Sequence, residues 1–218
     1  MAVKNNTYND NSITMLKGAE RVRARPAVIF GSDSIEGCEH SVFEILSNSV
    51  DEAREGYGDR INITVFNDRT IRIEDFGRGV PLDYNEKEQA YNWELVYCEL
   101  YAGGKYNNND SGSNYKFSLG LNGLGAAATQ CSSEFMKVQS YHTTEMLEMN
   151  FKKGEPDGEL IRRPLSKKEQ RTGTVVTWRP DLEVFTDTNI PKIFFETMLD
   201  RQAVVNAGLR FVFRWQTM

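Results

Sequence analysis

The chain has 218 residues, of which 39% are hydrophobic and 26% are charged. This composition is sufficient for a buried core and unlike that of a disordered chain. Its net charge of -5 argues against a surface that grips nucleic acid by itself, because such binding depends on neutralising phosphates. There is no long apolar run, and residues 1–12 are polar, so we expect neither a membrane span nor a signal peptide, and a cytoplasmic location.

The first half of the chain is predicted to form two helices and a hairpin. One helix should run over 12–22 and stop before Pro26, and a second over about 38–55, where apolar residues recur at helical spacing. Residues 61–66 and 70–74 alternate apolar and polar side chains on either side of a turn, which indicates a half-buried antiparallel hairpin.

The second half mixes helices and strands in an order unlike repeated βαβ units. We expect helices over 93–101, 124–130 and 191–206, and strands near 135–141, 145–151 and 173–178. Residues 107–114 are rich in Asn, Asp, Ser and Gly, which predicts a mobile lid. Three widely spaced cysteines and two histidines favour buried thiols over a disulfide framework or a zinc site.

A stripe of polar residues on the second helix is the first candidate site. Glu44 and Asn48 are four residues apart and the pair Asp51-Glu52 follows, so their side chains share one side of the helix. A carboxylate such as that of Glu44 can act as a general base, and the amide oxygen of Asn48 suits Mg²⁺. The alternative is a set of ordinary surface side chains.

The second candidate site is Asp75-Phe76-Gly77-Arg78-Gly79-Val80-Pro81. A strand here delivers an acceptor-only carboxylate just before glycines that permit a tight turn or close contact with a ligand. The exocyclic amine of adenine is a suitable donor for Asp75, and Arg78 is a natural ion-pair partner for Glu52. A plain turn would also explain this pattern.

A third element places glycines before an Ala-rich helix, in Gly120-Leu121-Asn122-Gly123-Leu124-Gly125. Such a position favours phosphate because backbone N–H groups are free there. The sequence is neither a Rossmann fingerprint nor a P-loop. Lys105 adds positive charge or is a solvated loop lysine, and Thr174 offers a hydroxyl or is an ordinary strand residue.

In this order, the segments resemble the ATPase domain of the B subunit of bacterial type IIA topoisomerases (gyrase or topoisomerase IV). The wider class, often called GHKL, is shared with Hsp90, MutL and histidine kinases. The resemblance extends from about Tyr8 to Arg214 and includes two further stretches, Tyr101-Ala102-Gly103-Gly104-Lys105-Tyr106 and Leu16-Lys17-Gly18 with the nearby Arg25-Pro26. It implies an α+β fold, a two-layer sandwich with a mixed, mainly antiparallel sheet and helices on one face.

The resemblance also implies roles for individual residues. Glu44 would be the catalytic base, Asn48 the Mg²⁺ ligand and Asp75 the reader of adenine. The N-terminal arm, residues 1–14 with Tyr8 and Ile13, would reach the second protomer, and a lid over about 103–125 would cover the phosphates. The ATP-binding set would be Asn48, Glu52, Asp75, Gly77, Arg78, Gly79, Pro81, Gly103, Gly104, Lys105, Gly120, Leu121, Asn122, Gly123, Leu124, Gly125 and Thr174.

Four positions depart from the family pattern, which usually has His at Asn122 and Tyr101, Asp at Ser47 and Gly at Leu119. The base, metal-ligand and adenine positions match the pattern, which predicts nucleotide binding, whereas the departures bear on the lid and the turnover rate.

We interpret 1–218 as a single ATP-binding domain, a fragment of a longer subunit. ATP and Mg²⁺ would drive its dimerisation with a second copy during DNA strand passage. Other implied partners are the A subunit and DNA, both contacted through other domains, and aminocoumarin inhibitors. A nucleotide-sensing module and a histidine-kinase-type phosphotransfer domain are the alternatives, and the sequence leaves gyrase and topoisomerase IV equally open.

Overall fold

The structure is a computed structural model that describes residues 16, 18–100 and 123–216. This part of the chain is an α+β fold built on one mixed sheet, as predicted. Its helices are α1 (Glu20–Arg23), α2 (Pro26–Phe30), α3 (Ile35–Arg54), α4 (Asn92–Tyr97), α5 (Gly125–Cys131) and α6 (Lys192–Val205). Its strands are β1 (Arg60–Val65), β2 (Ile71–Asp75), β3 (Tyr84–Asn85), β4 (Ala90–Tyr91), β5 (Ser133–Thr143), β6 (Glu145–Lys152), β7 (Glu155–Pro156), β8 (Ile161–Pro164), β9 (Arg171–Pro180) and β10 (Arg210–Trp215).

The main sheet has the strand order β10-β1-β2-β9-β5-β6-β7, and β8 also pairs with β6. Only the β1–β10 pair is parallel among the described strands; the other neighbours are antiparallel. The predicted hairpin is confirmed as β1 and β2, in which Ile63 is paired with Ile73. Side chains alternate between buried and half-buried along both strands, so one sheet face is packed against the core.

The long helix α3 supplies much of the layer above the sheet. Val42, Ile45, Leu46 and Val50 are all at most 2% exposed and belong to the core cluster. Their spacing of three, one and four residues repeats with the helical turn, which keeps them on one side. The polar residues between them therefore point elsewhere, and this arrangement creates the candidate site.

Several predicted boundaries were wrong. The first helix ends at Arg23, before Pro26 as predicted, but Pro26 then begins a further helix, α2, that was not predicted. Proline is tolerated at the first helical position because an N–H there would have no partner within the helix. The helix predicted over 93–101 ends at Tyr97, and α3 begins at Ile35, three residues before the predicted start. Of the helix predicted over 12–22, the described part is helical only from Glu20.

The other predicted helices and strands of the second half are confirmed as α5, β5, β6, β9 and α6. The strands β3, β4, β7, β8 and β10 were not predicted. Within the described residues, none of the helices is both long and apolar enough to span a membrane.

Candidate functional site

Asp75, the last residue of β2, carries a buried carboxylate, with 5% exposure. Its Oδ1 accepts the backbone N–H groups of Gly77 (3.0 Å) and Thr174 (2.9 Å), and its Oδ2 accepts the hydroxyl of Ser49 (3.0 Å). Burial raises the pKa of Asp75, and these three donors oppose that rise. A carboxylate has about four acceptor positions. One position, on Oδ2, is therefore left for a further donor.

The approach of β9 to Asp75 depends on Gly173. A Cβ at this residue would lie 2.2 Å from the carbonyl oxygen of Asp75, and φ is +123°. Both conditions exclude other residue types, because only glycine combines this conformation with such close contact. Gly173 thus allows Thr174 to place its N–H on the carboxylate.

The predicted Glu52–Arg78 pair is confirmed. Arg78 Nε and Nη2 donate to the two carboxylate oxygens of Glu52 at 3.0 and 2.7 Å, and its guanidinium lies 4.0 Å from the ring centre of Tyr57. A bidentate pair fixes both partners more firmly than a single contact does. The pair therefore joins the loop after β2 to α3.

Thr174 also contacts this loop through its side chain. Its hydroxyl oxygen accepts the N–H of Val80 at 3.0 Å, while its own backbone N–H donates to Asp75. Gly77 is buried, and Gly79 and Val80 are half-buried, whereas Arg78 and Pro81 are exposed. Asp75, the loop that follows it and Thr174 thus come together at the end of β2.

Glu44 lies two helical turns before Glu52, against the start of α5. Its side chain is 25% exposed, and a Cβ added to Gly125 would lie only 1.9 Å from Glu44 Oε2. The helix is largely buried as expected, but the carboxylate itself is accessible. Glu44 and the last glycine of the predicted Gly-rich loop are therefore direct neighbours.

His40, which sequence reasoning did not select, binds Glu44. Its Nε2 lies 3.0 Å from Glu44 Oε1, and its Nδ1 lies 3.1 Å from the carbonyl oxygen of Phe30. A carbonyl only accepts, so Nδ1 must carry a hydrogen. Because Nε2 faces Oε1, the other carboxylate oxygen, Oε2, is the one turned away from the imidazole. The spacing of four residues on a helix was the signal for this pair.

Asn48 is exposed one turn after Glu44, whereas Asp51 is buried with 2% exposure. Asn48 thus presents a polar group on the same side of α3 as Glu44. Within the described ranges, no three His, Cys, Asp or Glu side chains gather as a metal-ligand group.

The Gly-rich loop is described only at its end. Gly123 has φ of +58°, Leu124 precedes the helix and Gly125 begins α5. The remaining predicted lid and arm positions lie outside the described residues, as do three of the four departures from the family pattern. These positions are Tyr8, Ile13, Tyr101, Gly103, Gly104, Lys105, Leu119, Gly120, Leu121 and Asn122.

Two other side chains escaped the sequence reasoning. Ser49 donates to Asp75, and its position directly after Asn48 gives little sign of this. Arg171 donates to the Asp75 carbonyl oxygen at 3.2 Å and lies between the rings of Phe76 and Tyr141, at 4.7 and 4.4 Å from their centres. An arginine at the start of a strand carries no local signal for such a contact.

The described residues thus form an α+β fold with two carboxylates at the candidate site. The buried Asp75 lies at the end of β2, and the accessible Glu44 lies on α3. Comparison with curated proteins then gives the relatives of the chain. The chain is 40% identical over 186 residues to the B subunit of DNA topoisomerase 4 from Staphylococcus epidermidis. It is 34% identical over 206 residues to the DNA gyrase B subunit of Thermotoga maritima and 35% over 211 residues to that of Mycoplasma genitalium.

These matches cover 85%, 94% and 96% of this chain, but only 27%, 31% and 32% of the respective relatives. The chain therefore spans about three tenths of the length of the curated relatives it matches. No protein-family model matches it. The resemblance to the B subunits of bacterial type IIA topoisomerases is confirmed, and the chain is related to one part of such a protein.

Proposed function

We propose that the chain binds and hydrolyses ATP and that this drives dimerisation of a type II topoisomerase B subunit during DNA strand passage. The observation that carries the proposal is Asp75, a buried carboxylate with three fixed donors and one remaining acceptor position. A buried charge is costly, so its retention here favours a ligand that supplies the fourth donor. The exocyclic amine of adenine is such a donor.

Hydrolysis would use Glu44. Because His40 holds Oε1, the free Oε2 is the oxygen that orients water and accepts its proton as the water oxygen attacks the terminal phosphorus. The bond from that phosphorus to the bridging oxygen breaks, and ADP and phosphate leave. His40 would act as a positioning residue, since it keeps the carboxylate oriented through its bond to the Phe30 carbonyl oxygen.

Asn48 fits a magnesium ion that is also bound by phosphates and water, because its exposed amide offers a neutral oxygen one turn from Glu44. Bound there, Mg²⁺ would neutralise charge on the phosphate oxygens. Gly123, Leu124 and Gly125 would lie beside the phosphates, with Gly103, Gly104, Lys105 and Gly120 to Asn122 completing the cover. Glu52, Gly77, Arg78, Gly79, Pro81 and Thr174 would line the base end.

The proposed role in a whole enzyme is supported by the relatives, which are B subunits of gyrase and topoisomerase IV. We propose that the partners are a second copy, through an arm with Tyr8 and Ile13, together with the A subunit and DNA contacted by other domains. A nucleotide sensor, which would bind ATP with little turnover, would use the same residues.

The test is ATP binding and turnover by the parent and by Glu44→Gln. Glutamine keeps the shape of the side chain but cannot accept the proton, so we expect ATP affinity within a few-fold and hydrolysis lowered by roughly 10²–10⁴-fold. Calorimetry with ATP and Mg²⁺ measures the first, and phosphate release measures the second. A parental rate in Glu44→Gln would refute the role of Glu44, and failure of the parent to bind ATP would refute the proposal.

A further inference from the structure

Val80 is held at both of its backbone groups by hydroxyl side chains of two neighbouring strands. Its N–H donates to Thr174 Oγ1 at 3.0 Å, and its carbonyl oxygen accepts Ser140 Oγ at 2.6 Å. Ser140 on β5 and Thr174 on β9 are directly paired across the sheet. The two hydroxyls therefore form one platform beneath the loop that follows Asp75.

The proton arrangement at Ser140 is determined by its partners. A hydroxyl has one hydrogen, and the Val80 carbonyl can only accept, so this hydrogen lies between Ser140 and Val80. His142 Nε2 is 2.9 Å from Ser140 Oγ and must then be the donor. Ser140 is fully buried, with 0% exposure. His142 thus fixes the orientation of a hydroxyl that is shielded from solvent.

The backbone at Gly79, next to Val80, also packs against Ser140 and His142. A Cβ at Gly79 would lie 2.8 Å from Ser140 Oγ and 3.1 Å from His142 Cε1, and φ at Gly79 is +88°. Such close contact requires glycine. The position of Gly79 and Val80 is therefore set by β5 as well as by the Glu52–Arg78 pair.

We propose that Ser140 and His142 are positioning residues that fix Val80 and thereby set the base selectivity of the nucleotide site. The inference rests on the proposed function, because Thr174 holds Val80 through its hydroxyl and Asp75 through its N–H. When Val80 is released, Thr174 loses the donor that fixes its side chain. The Thr174 hydroxyl, on the residue whose N–H binds Asp75, then gains rotational freedom, and the discrimination between adenine and guanine falls.

The first experiment compares Ser140→Ala with the parent. We expect the Val80 amide to exchange its hydrogen about two- to tenfold faster, as for loss of one supporting hydrogen bond. We also expect ATP to bind about two- to tenfold more weakly, for the same reason, and the ratio of ATP to GTP affinity to fall. Hydrogen exchange by NMR and calorimetry with each nucleotide measure these effects.

Ser133→Ala is the matched control. Ser133 is also buried on β5, and its hydroxyl donates to a backbone carbonyl, that of Thr129, away from the loop. It should cost stability without changing Val80 exchange or the ATP to GTP ratio. Ser140→Thr keeps the hydroxyl, so both Val80 exchange and the ATP to GTP ratio should stay near the parental values. His142→Phe keeps a ring but removes the donor to Ser140, so it should behave like Ser140→Ala.

The outcomes separate the two proposals. If folded Ser140→Ala has parental Val80 exchange and a parental ATP to GTP ratio, the positioning role is wrong. If the parent binds no ATP, the proposed function fails and so does the effect on selectivity. Faster Val80 exchange in Ser140→Ala than in Ser133→Ala would in that case still support the fixing of Val80 by the pair.

Discussion

Replacing Asp75 by Asn tests base recognition most directly. Gly77 and Thr174 both donate to Oδ1, so the new amide must place its oxygen there and its NH₂ at the Oδ2 position. Ser49 can adjust, because a hydroxyl accepts as well as donates. The adenine amine cannot, since it would face another donor in a buried site.

An unsatisfied buried polar group costs about 1–3 kcal/mol, which corresponds to roughly 5- to 150-fold weaker ATP binding. Guanine presents an oxygen at the same position, so the parent should prefer ATP by at least roughly tenfold and Asp75→Asn should reduce that preference. Calorimetry with ATP and GTP on both proteins measures these effects.

A second buried aspartate provides the control for this experiment. Asp181 is 4% exposed and forms an ion pair with Arg23 at 2.7 Å, away from the predicted site. Asp181→Asn should lower stability and leave ATP affinity unchanged. Equal affinity of the parent for ATP and GTP, or parental ATP affinity in Asp75→Asn, would show that Asp75 serves only the turn.

Three further predictions concern other parts of the site. Gly125→Ala should cost about 1–3 kcal/mol of stability and lower ATP hydrolysis more than ATP binding, because its methyl group displaces Glu44; thermal unfolding and turnover assays check this, and an unchanged rate would contradict it. The chain by itself should bind ATP with Mg²⁺ but hydrolyse it slowly and remain mostly monomeric. It spans about three tenths of its relatives' length, and catalysis needs all of the catalytic groups in position; robust ATP hydrolysis that is linear in protein concentration would disprove this. Novobiocin should bind more weakly than to typical family members, because we align His142 with an arginine that these inhibitors use and imidazole lacks the fixed fork of guanidinium; nanomolar affinity by calorimetry would refute it.

Local sequence patterns were sufficient to predict much of the fold and part of the candidate site. The apolar spacing of Val42, Ile45 and Leu46 predicted α3, and complementary charge predicted the Glu52–Arg78 pair. The first prediction needs only residues close to one another in the chain. The second needs only two side chains of opposite charge.

Non-local contacts were not predictable in this way. His40 is tied to the Phe30 carbonyl oxygen of another helix, and Ser140 meets Val80 from a strand 60 positions later. No periodicity encodes such meetings, because they depend on how the sheet brings strands together. The strand β10 was missed for the same reason, since its partner is β1.

The β1–β10 pair has a consequence for how the chain folds. Ile61 pairs with Phe211, so the two strands meet only after a segment of about 150 residues has been traversed. During synthesis, the hairpin of β1 and β2 is complete long before its outer neighbour emerges from the ribosome. Until then β1 has an open edge, which is a site for mispairing and aggregation. We therefore expect refolding to be slow and its yield to fall as protein concentration rises.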